Sequence, residues 1–308
     1  MRNAFINELF SIALANKKIW FLTGDLGFGV LDSFAKEIPD RFINAGVAEQ
    51  NMTGIAAGLA MDGRTVFTYS IANFPTFRCL EQIRNDVCYH RADVKVVSVG
   101  AGVAYGSHGY THFGVEDIGI MRVLPHMTIL CPADPAEARR AARLAVESPG
   151  PMYIRLGKNG EPALHPGEVD YRLGDLIEMV PAGEINIIAT GSIAYHACAA
   201  ARDCRAQGVP VGMFSCPTVA PFNSEWFSRI CSQSRVVITV EEHGPIGGLA
   251  SVAAEALAQM DTRCRLVRLS LPQSISGVGT QEYFLNKFGL DAAGIAAEIQ
   301  RISQSSAR

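Results

Sequence analysis

Residues 41–60 read Arg41-Phe-Ile-Asn-Ala-Gly-Val-Ala-Glu-Gln-Asn-Met-Thr-Gly-Ile-Ala-Ala-Gly-Leu-Ala60. The spacing of the apolar residues predicts a helix that follows Gly46, which we expect to be its N-cap, with Glu49 at the N3 position. Gly54 and Gly58 lie about one turn apart and expose backbone, so another element can approach closely. A helix with so little bulk and charge is expected to be buried. Glu49 would then be a carboxylate that enters a packed interior.

Glu49 has two interpretations at this point. A glutamate three residues after an N-cap satisfies a backbone N–H and complements the helix dipole. A buried carboxylate can instead have a chemical role. The stretch alone favours the capping interpretation.

Length and composition limit the class of protein. The chain has 308 residues, 48% hydrophobic and 19% charged, which is ordinary for an α/β protein of about two domains. The net charge is −3 and no Lys/Arg cluster stands out, so no nucleic-acid or anionic-membrane partner is indicated. The N-terminus reads as an amphipathic helix and not as a signal peptide, and no apolar run has the length of a membrane span. Eight cysteines without a C-x-x-C pair predict core thiols in a reducing compartment, so we expect a cytoplasmic protein.

Short apolar runs alternate with helical patterns along the whole chain. This alternation predicts mostly parallel sheets with helices on both faces, and therefore an α/β fold of two doubly wound domains. We expect the first domain at residues 1–157, a linker with some irregular β structure at 158–180, and the second domain at 181–308. One long helix is predicted at residues 73–90.

A glycine-rich loop is the second unusual feature: Gly100-Ala-Gly-Val-Ala-Tyr-Gly-Ser-His-Gly-Tyr-Thr-His-Phe-Gly114. His108, His112 and Glu116 have the i, i+4, i+8 spacing of metal ligands on a helix. The glycines argue against a helix here, and no Gly-Lys-Ser/Thr closes a phosphate loop. A single loop histidine is more often a hydrogen-bonded surface residue than a catalytic one.

A third segment, Glu241-Glu-His-Gly-Pro-Ile-Gly-Gly-Leu-Ala250, follows a predicted buried strand. Two carboxylates and a histidine at the carboxyl end of a strand can form a site. A structural turn or an interface is the interpretation that these residues favour. Ser192 reads as an N-cap, because no nucleophile-elbow signature surrounds it.

Several segments taken together resemble the transketolase family. Residues 40–60 are similar to the family's aminopyrimidine-binding segment. The other similar segments are Gln82-Ile-Arg-Asn85, Thr111-His112, Cys131-Pro-Ala-Asp134, Tyr153-Ile-Arg-Leu156, Ala189-Thr-Gly-Ser192, Val240-Glu-Glu-His243 and Ile246-Gly-Gly-Leu249. They follow the family's order over nearly the whole chain. The resemblance implies a pyrimidine-binding domain followed by a transketolase C-terminal domain, as in the small subunit of a split enzyme.

The resemblance also implies thiamine diphosphate, with Mg²⁺, and the transfer of a two-carbon ketol unit from a ketose donor to an aldose acceptor. Glu49 matches the glutamate that hydrogen-bonds N1′ of the aminopyrimidine and activates the cofactor. Phe74 matches an aromatic residue of the pyrimidine pocket. Asp25 and Leu26 lie where family members approach the cofactor across the subunit interface.

Three residues match substrate-binding positions of the family. His112 matches a loop histidine that contacts the reacting oxygens. Arg2 and Arg155 align with two arginines that bind the sugar phosphate, for which a fixed charge and fork geometry are suited.

Four positions depart from the family's pattern. His108 stands where an acid usually contacts a donor hydroxyl. Gly100 replaces a histidine that helps to hold phosphate, and Gly29 replaces a serine. Ile71 stands in the cofactor pocket where the family has a stacking aromatic. These departures predict a donor other than an ordinary pentose phosphate.

The family's diphosphate and Mg²⁺ motif, Gly-Asp-Gly followed by Asn, is missing, and Gly24-Asp-Leu does not supply it. We therefore expect a partner subunit of the N-terminal type to hold the metal-bridged diphosphate, in an α2β2 complex with each active site at an interface. Two alternatives stay open. One is the β subunit of a 2-oxoacid dehydrogenase, and the other is a non-catalytic subunit that retains the fold.

Overall fold

The computed structural model describes residues 1–305. The elements of the first half are α1 (Arg2–Ala15), β1 (Ile19–Thr23), α2 (Asp32–Glu37), β2 (Phe42–Asn44), α3 (Glu49–Met61), β3 (Thr65–Ile71), α4 (Leu80–Gln82), β4 (Val94–Val99), α5 (Asp117–Arg122), β5 (Thr128–Leu130), α6 (Pro135–Glu147) and β6 (Met152–Leu156). Helix α4 continues as a π-helix over Ile83–Cys88, and short 3₁₀ turns occupy Pro39–Arg41, Gly106–His108 and Tyr110–His112.

The second half repeats the alternation. Its elements are β7 (Ile177–Val180), β8 (Ile185–Thr190), α7 (Ala194–Ala206), β9 (Val211–Ser215), β10 (Thr218–Ala220), α8 (Ser224–Gln233), β11 (Val236–Glu241), α9 (Leu249–Leu257), β12 (Arg265–Ser270), α10 (Gln281–Lys287) and α11 (Ala292–Gln304). Within the described residues, every helix is too short or too polar to cross a membrane.

The first sheet has seven strands in the order β10-β5-β6-β4-β3-β1-β2. All neighbouring strands are parallel except β10, which is antiparallel to β5. Strands β4 and β6 are buried at every residue, as parallel strands covered on both faces should be. Helices α1 and α6 pack on one face and α3 with the π-helix packs on the other.

The second sheet has five strands in the order β12-β11-β8-β9-β7. It is parallel except for β7, which is antiparallel to β9. Helices α7 and α11 pack on one face, while α8 and α9 pack on the other. The two sheets, each covered by helices on both faces, confirm the predicted class of two α/β domains.

Two strands have a placement that the sequence does not reveal. Strand β7 lies within the predicted linker and belongs to the second sheet. Strand β10 follows β9 in the chain but pairs with β5 of the first sheet, with Thr218 opposite Leu130 and Ala220 opposite Ile129. The domain limits at 157 and 181 stay predictions, while the strands themselves end at Leu156 and resume at Ile177.

Some predicted helix starts are wrong. The helix expected at residues 73–90 begins only at Leu80, and the segment before it forms turns, with Phe77 N–H donating to the Asn73 carbonyl. Pro75 disfavours helical backbone at the residue before it, which explains the delay. Ser192 is not an N-cap, because α7 begins at Ala194 after Ile193 and no side chain caps it.

Candidate active site

The loops that follow β1, β2, β3 and β4 meet at the carboxyl edge of the first sheet. Strand β1 lies between β2 and β3, and β3 lies beside β4, so these loops are neighbours in space. Most of the candidate residues from the sequence lie on them: Asp25, Leu26, Glu49, Ile71, Phe74, His108 and His112. This edge is therefore the candidate active site.

Glu49 is the first residue of α3 and its side chain is 2% exposed. Ala48 is the N-cap and no side chain caps this helix, so the predicted N-cap at Gly46 and the N3 position for Glu49 are both wrong. The carboxylate instead accepts a hydrogen bond at Oε2 from Arg78 Nη1, at 2.6 Å. The capping interpretation fails, because this carboxylate is aimed at another side chain and not at its own backbone.

Small residues let the chain pass close to this carboxylate. A Cβ at position 24 would lie 3.4 Å from Cγ of Glu49, so Gly24 leaves the space that a larger residue would fill. On the helix itself, the Thr53 hydroxyl donates to the Glu49 carbonyl at 2.8 Å. Nearby, the Asn44 side chain holds the exposed loop after β1: its amide donates to Asp25 Oδ1 and its oxygen accepts from Asp25 N–H, each at 3.0 Å.

An aromatic cavity of about 440 Å³ is lined by Arg78, the ion-pair partner of Glu49. The lining residues of this aromatic cavity are Asn73, Phe74, Phe77, Arg78, Tyr110, Thr111, Phe113 and Glu116. The Arg78 guanidinium carbon lies 4.9 Å from the centre of the Phe74 ring. The His112 ring meets the same phenyl ring edge-on, with centroids 5.3 Å apart. Flat apolar walls next to a buried carboxylate suit a flat heteroaromatic ligand.

The glycine-rich loop is folded into two 3₁₀ turns and is closed at its base by a bridge between Gly102 and Gly114. The His108 and His112 rings lie 4.9 Å apart, and Thr111 Oγ1 lies 2.9 Å from His112 Nδ1. Burial lowers the pKa of His112, and the charge of His108 lowers it further. The neutral imidazole of His112 is thus favoured at this edge.

Glu116, the third member of the metal-like spacing, contacts neither histidine. It accepts a hydrogen bond from Tyr110 Oη at 2.9 Å. Across residues 1–305 the structure holds no group of three or more His, Cys, Asp or Glu side chains placed to bind a metal ion.

A second cavity, of about 190 Å³, adjoins the loop, and we call it the Arg2 cavity. Its lining residues are Arg2, Leu26, Gly27, Phe28, Val30, Tyr69, Ser70, Ile71, Val99 and Tyr105. Burial raises the pKa of Tyr69 to about 12, against the opposing charge of Arg2. Three candidates from the sequence therefore lie around one space: Arg2, Leu26 and Ile71.

Tyr105 lies between the Arg2 cavity and the two histidines of the glycine-rich loop. Its ring lines the Arg2 cavity and meets the His108 and His112 rings edge-on, at 5.7 and 6.4 Å between centroids. Lys158 Nζ lies 5.0 Å from the same ring. The ring also explains Gly100, whose φ is +88° and where a Cβ would lie 2.1 Å from a Tyr105 ring carbon. Tyr105 thus fills the space in which a side chain at position 100 would stand.

Arg155 is buried apart from the aromatic cavity and the Arg2 cavity. It is 2% exposed and is not among the residues that line either cavity. Its Nε donates to Asp117 Oδ2 at 2.7 Å, and its Nη2 donates to the carbonyls of Gly114 and Glu242 at 2.7 and 2.9 Å. Nε and Nη2 are therefore already bonded within the fold, and a phosphate-binding role for Arg155 stays a prediction.

The two carboxylates of the Glu241–His243 segment accept hydrogen bonds from other parts of the fold. Glu241 accepts hydrogen bonds from Leu249 N–H at 2.6 Å and Ala250 N–H at 2.9 Å, and so caps α9. Glu242 accepts from Val103 N–H at 2.7 Å and from the Gln281 amide, which ties the glycine-rich loop to the second domain. Burial raises the pKa of Glu242 to about 7.

Sequence reasoning missed Arg78, Tyr105 and Lys158 as residues of this edge. The signal for Arg78 was available, because it is the only charged residue between Ala72 and Leu80. Tyr105 and Lys158 gave no comparable signal, since their proximity depends on how the loops after β4 and β6 fold back.

Comparison with known proteins adds a second line of evidence. The sequence family described as "Transketolase, pyrimidine binding domain" matches residues 1–161, and "Transketolase, C-terminal domain" matches residues 176–295. The chain is 33% identical over 296 residues to the B-type subunit of apulose-4-phosphate transketolase of Phocaeicola vulgatus, covering 96% of this chain and 94% of the relative. It is 32% identical over 305 residues to the SqwH subunit of 6-deoxy-6-sulfo-D-fructose transketolase of Clostridium sp., covering 99% and 94%.

A solved structure described as "Split gene transketolase, inactive beta4 tetramer" has the same fold. It superposes with a TM-score of 0.87 at 34% sequence identity, and the match covers 97% of this chain and 96% of that one. The similarity therefore extends over both domains and over the candidate edge between them.

Proposed function

The chain belongs to the transketolase family, and from this premise we propose that it is the subunit of a split transketolase that activates thiamine diphosphate through Glu49. The observation that carries the proposal is the buried Glu49 carboxylate beside the aromatic cavity. A carboxylate that is 2% exposed, and that pairs with an exposed arginine at the wall of a cavity, is a candidate functional group.

The residues at this edge fit the aromatic half of the cofactor. Phe74 offers a ring face and the cavity volume of about 440 Å³ accommodates a flat ring. Glu49 would hold a proton at the ring nitrogen N1′, and His112 would contact the reacting oxygens of the sugars. When bound, thiamine diphosphate supplies the electron sink for breaking and forming the carbon–carbon bond. This chain supplies position and hydrogen bonds.

The diphosphate and Mg²⁺ end of the cofactor needs another source of ligands. Residues 1–305 contain no cluster placed to hold a metal ion. We propose that an N-terminal-type subunit holds this end, in an α2β2 complex where Asp25 and Leu26 approach the cofactor across the interface. The relatives named as single subunits of transketolases and the split-gene structure support a partner-dependent enzyme.

We propose that the donor pocket differs from that of an enzyme for an ordinary pentose phosphate. Tyr105 fills the space at Gly100, and His108 stands where an acid is usual. Arg2 and Lys158 bring two cations to the Tyr105 ring and the cavity beside it. We propose a ketose donor that carries a terminal anionic group and differs from xylulose 5-phosphate in the part that meets Tyr105.

The cellular location follows from the thiols. All eight cysteines are free and buried. Unpaired thiols persist in a reducing compartment, so we propose a cytoplasmic enzyme.

The central test is ketol transfer by the assembled complex. The chain is combined with its partner subunit, thiamine diphosphate and Mg²⁺, and donors are compared with pyruvate plus an electron acceptor. Glu49→Gln keeps the shape but loses the acid, and should lower the rate by about 100-fold or more. Glu37→Gln, at an exposed residue of α2, is the matched control and should leave the rate unchanged.

Each outcome bears on one part of the proposal. An undiminished rate in Glu49→Gln would remove Glu49 from the mechanism. Oxidation of pyruvate would favour the 2-oxoacid dehydrogenase alternative, and no turnover of any donor would favour a non-catalytic subunit. Tight, Mg²⁺-dependent cofactor binding by the isolated chain would contradict the role of the partner. A rate on xylulose 5-phosphate equal to that on any other donor would contradict the altered pocket.

A further inference from the structure

Arg78 occupies the two positions that the aminopyrimidine is proposed to use. Its Nη1 lies 2.6 Å from Glu49 Oε2, and its guanidinium carbon lies 4.9 Å from the centre of the Phe74 ring. The Arg78 side chain is 45% exposed, whereas that of Glu49 is 2% exposed. A surface arginine therefore covers a buried carboxylate.

The chemistry of the two occupants is alike. A guanidinium is flat, presents N–H groups at its edge and stacks on aromatic faces. An aminopyrimidine ring is also flat, and its N1′ edge would share a proton with the same carboxyl group. Both cannot lie on the same face of Phe74 against the same carboxylate oxygen. Arg78 and the cofactor ring would thus compete for one place.

We propose that Arg78 is a positioning residue that stands in for the aminopyrimidine: it holds the Glu49 carboxylate while the cofactor is absent and must leave it when the cofactor binds. This inference rests on the proposed function of Glu49. The guanidinium is 45% exposed and can swing into solvent at small cost, because the cofactor ring would take its place at the buried Glu49 carboxylate and on Phe74. The contact lowers cofactor affinity without closing the site.

Arg155 is a contrasting arginine, because its described hydrogen bonds all go to groups outside the two cavities. It is 2% exposed and is bonded to one carboxylate and two backbone carbonyls. Arg78 is half exposed, and its ion pair and ring contact both go to side chains of the candidate site. The contrast favours a role in the site over a role in the fold.

The test is calorimetric titration of thiamine diphosphate with Mg²⁺ into the assembled complex. Arg78→Gln is expected to lower the Kd about 10-fold, since it removes a competitor that makes one ion pair to a buried carboxylate and one cation–π contact. The apparent KM for thiamine diphosphate should fall in parallel. Arg78→Lys keeps the charge but loses the flat guanidinium, so its Kd should lie between those of the unmodified complex and Arg78→Gln. Inorganic diphosphate with Mg²⁺, which lacks the ring, should bind Arg78→Gln and the unmodified complex equally.

Two controls separate this effect from a general loss of charge. Arg64→Gln removes an arginine whose side chain is 40% exposed and which pairs with Asp62 just after the other end of α3, and it should leave the Kd unchanged. In a Glu49→Gln background, the effect of Arg78→Gln should shrink to about 3-fold, the part due to Phe74.

An unchanged or weaker affinity in Arg78→Gln would overturn the inference and leave the proposed function intact. So would a structure of the cofactor-bound complex in which Arg78 Nη1 stays within the ~4 Å of an ion pair with Glu49. If the unmodified complex does not bind thiamine diphosphate at all, the proposed function fails and the inference fails with it.

Discussion

The role of a charged residue in this protein depends on its neighbours and not on its type. Glu49 and Glu242 are both 2% exposed, yet one faces an exposed arginine beside a cavity and the other accepts bonds from Val103 and Gln281. The first arrangement leaves a carboxylate that a ligand can reach by displacing one side chain. In the second arrangement, both carboxylate oxygens of Glu242 already accept hydrogen bonds, and these bonds hold the two domains together.

The His108–His112 pair leads to a prediction about titration. Burial and the nearby charge of His108 both lower the pKa of His112. His108→Asn removes the second cause, so the pKa of His112 should rise towards its ordinary value. Titration of the His112 ring by NMR measures this directly. His90→Asn, at an exposed position before β4, should leave the pKa of His112 where it is, and an equal rise there would argue against a direct effect of His108.

The Arg155–Asp117 pair leads to a prediction about stability. Asp117 is fully buried and accepts hydrogen bonds from Arg155 Nε at 2.7 Å and Tyr153 Oη at 2.5 Å. Asp117→Asn leaves a buried guanidinium without its counter-charge, and should lower the free energy of unfolding by about 3–5 kcal/mol. Denaturant titration provides the measurement.

The matched control for this pair is Asp62→Asn. Asp62 is 72% exposed and pairs with Arg64 at 3.3 Å. Exposed pairs contribute roughly 0.2–1 kcal/mol, so the loss should be no larger than that. Equal losses in the two variants would mean that Arg155 does not depend on Asp117.

At the scale of elements, strand β10 is the feature that connects the two halves. It leaves the second sheet after β9 and adds an antiparallel edge to β5. Two further backbone hydrogen bonds join Cys131, just after β5, to the second half of the chain. The Cys131 N–H donates to the Pro217 carbonyl at 2.8 Å, and the Cys131 carbonyl accepts from the Gly191 N–H at 3.1 Å. The short strand thus fixes the second domain against the first sheet.

Val219, in the middle of β10, gives a test of this connection. Its side chain is 1% exposed and packs in the core that α3 shares with the first sheet. Val219→Ala should cost about 2 kcal/mol of unfolding free energy through lost burial and the cavity left behind. Denaturation followed with separate probes in each domain should show the domains unfolding less cooperatively. Val123→Ala, at a residue 78% exposed, should change neither quantity.

At the scale of the whole molecule, the glycine-rich loop is held between the two domains. Val103 N–H donates to Glu242, and Gly279 N–H donates to the Gly106 carbonyl at 3.1 Å. Phe113 of the loop meets Phe284 of α10 edge-on, with centroids 5.6 Å apart. The histidines of the site are therefore positioned by the second domain as well as by the sheet that carries them.

This arrangement predicts a pH-dependent stability. Burial raises the pKa of Glu242 from 4.5 to about 7, so the folded chain keeps a proton that the unfolded chain releases. The stability that this proton contributes is present below pH 4.5 and is lost as the pH rises through 7. Glu242→Gln carries no group that titrates in this range. Its amide Oε1 can still accept a hydrogen bond from Val103 N–H, and the Gln281 amide can turn to match it.

The measurement is the unfolding free energy of both proteins between about pH 5 and pH 8. The unmodified protein should lose up to about 3 kcal/mol relative to Glu242→Gln over this range. A constant difference between the two would show that Glu242 does not titrate there.

The sequence predicted the layout of the fold and much of the site because those signals are local. Apolar periodicity gave nearly every strand of the two sheets, and the parallel order placed the loops with Glu49, Phe74 and His112 at one edge. It failed where local signals were weak: β10 and α10 are short, and the turns before Leu80 depend on Pro75. Capping statistics also misplaced the role of Glu49.

The sequence by itself thus determined two α/β domains, and the family resemblance supplied the prediction that Glu49 is the acid of the site. Only the tertiary structure decided what touches that acid and what fills the pocket beside it. Arg78 reaches Glu49 across 29 residues, and Arg155 bonds the Glu242 carbonyl across 87. Contacts of this kind depend on how separate loops pack, and local periodicity and residue type carry no information about that packing.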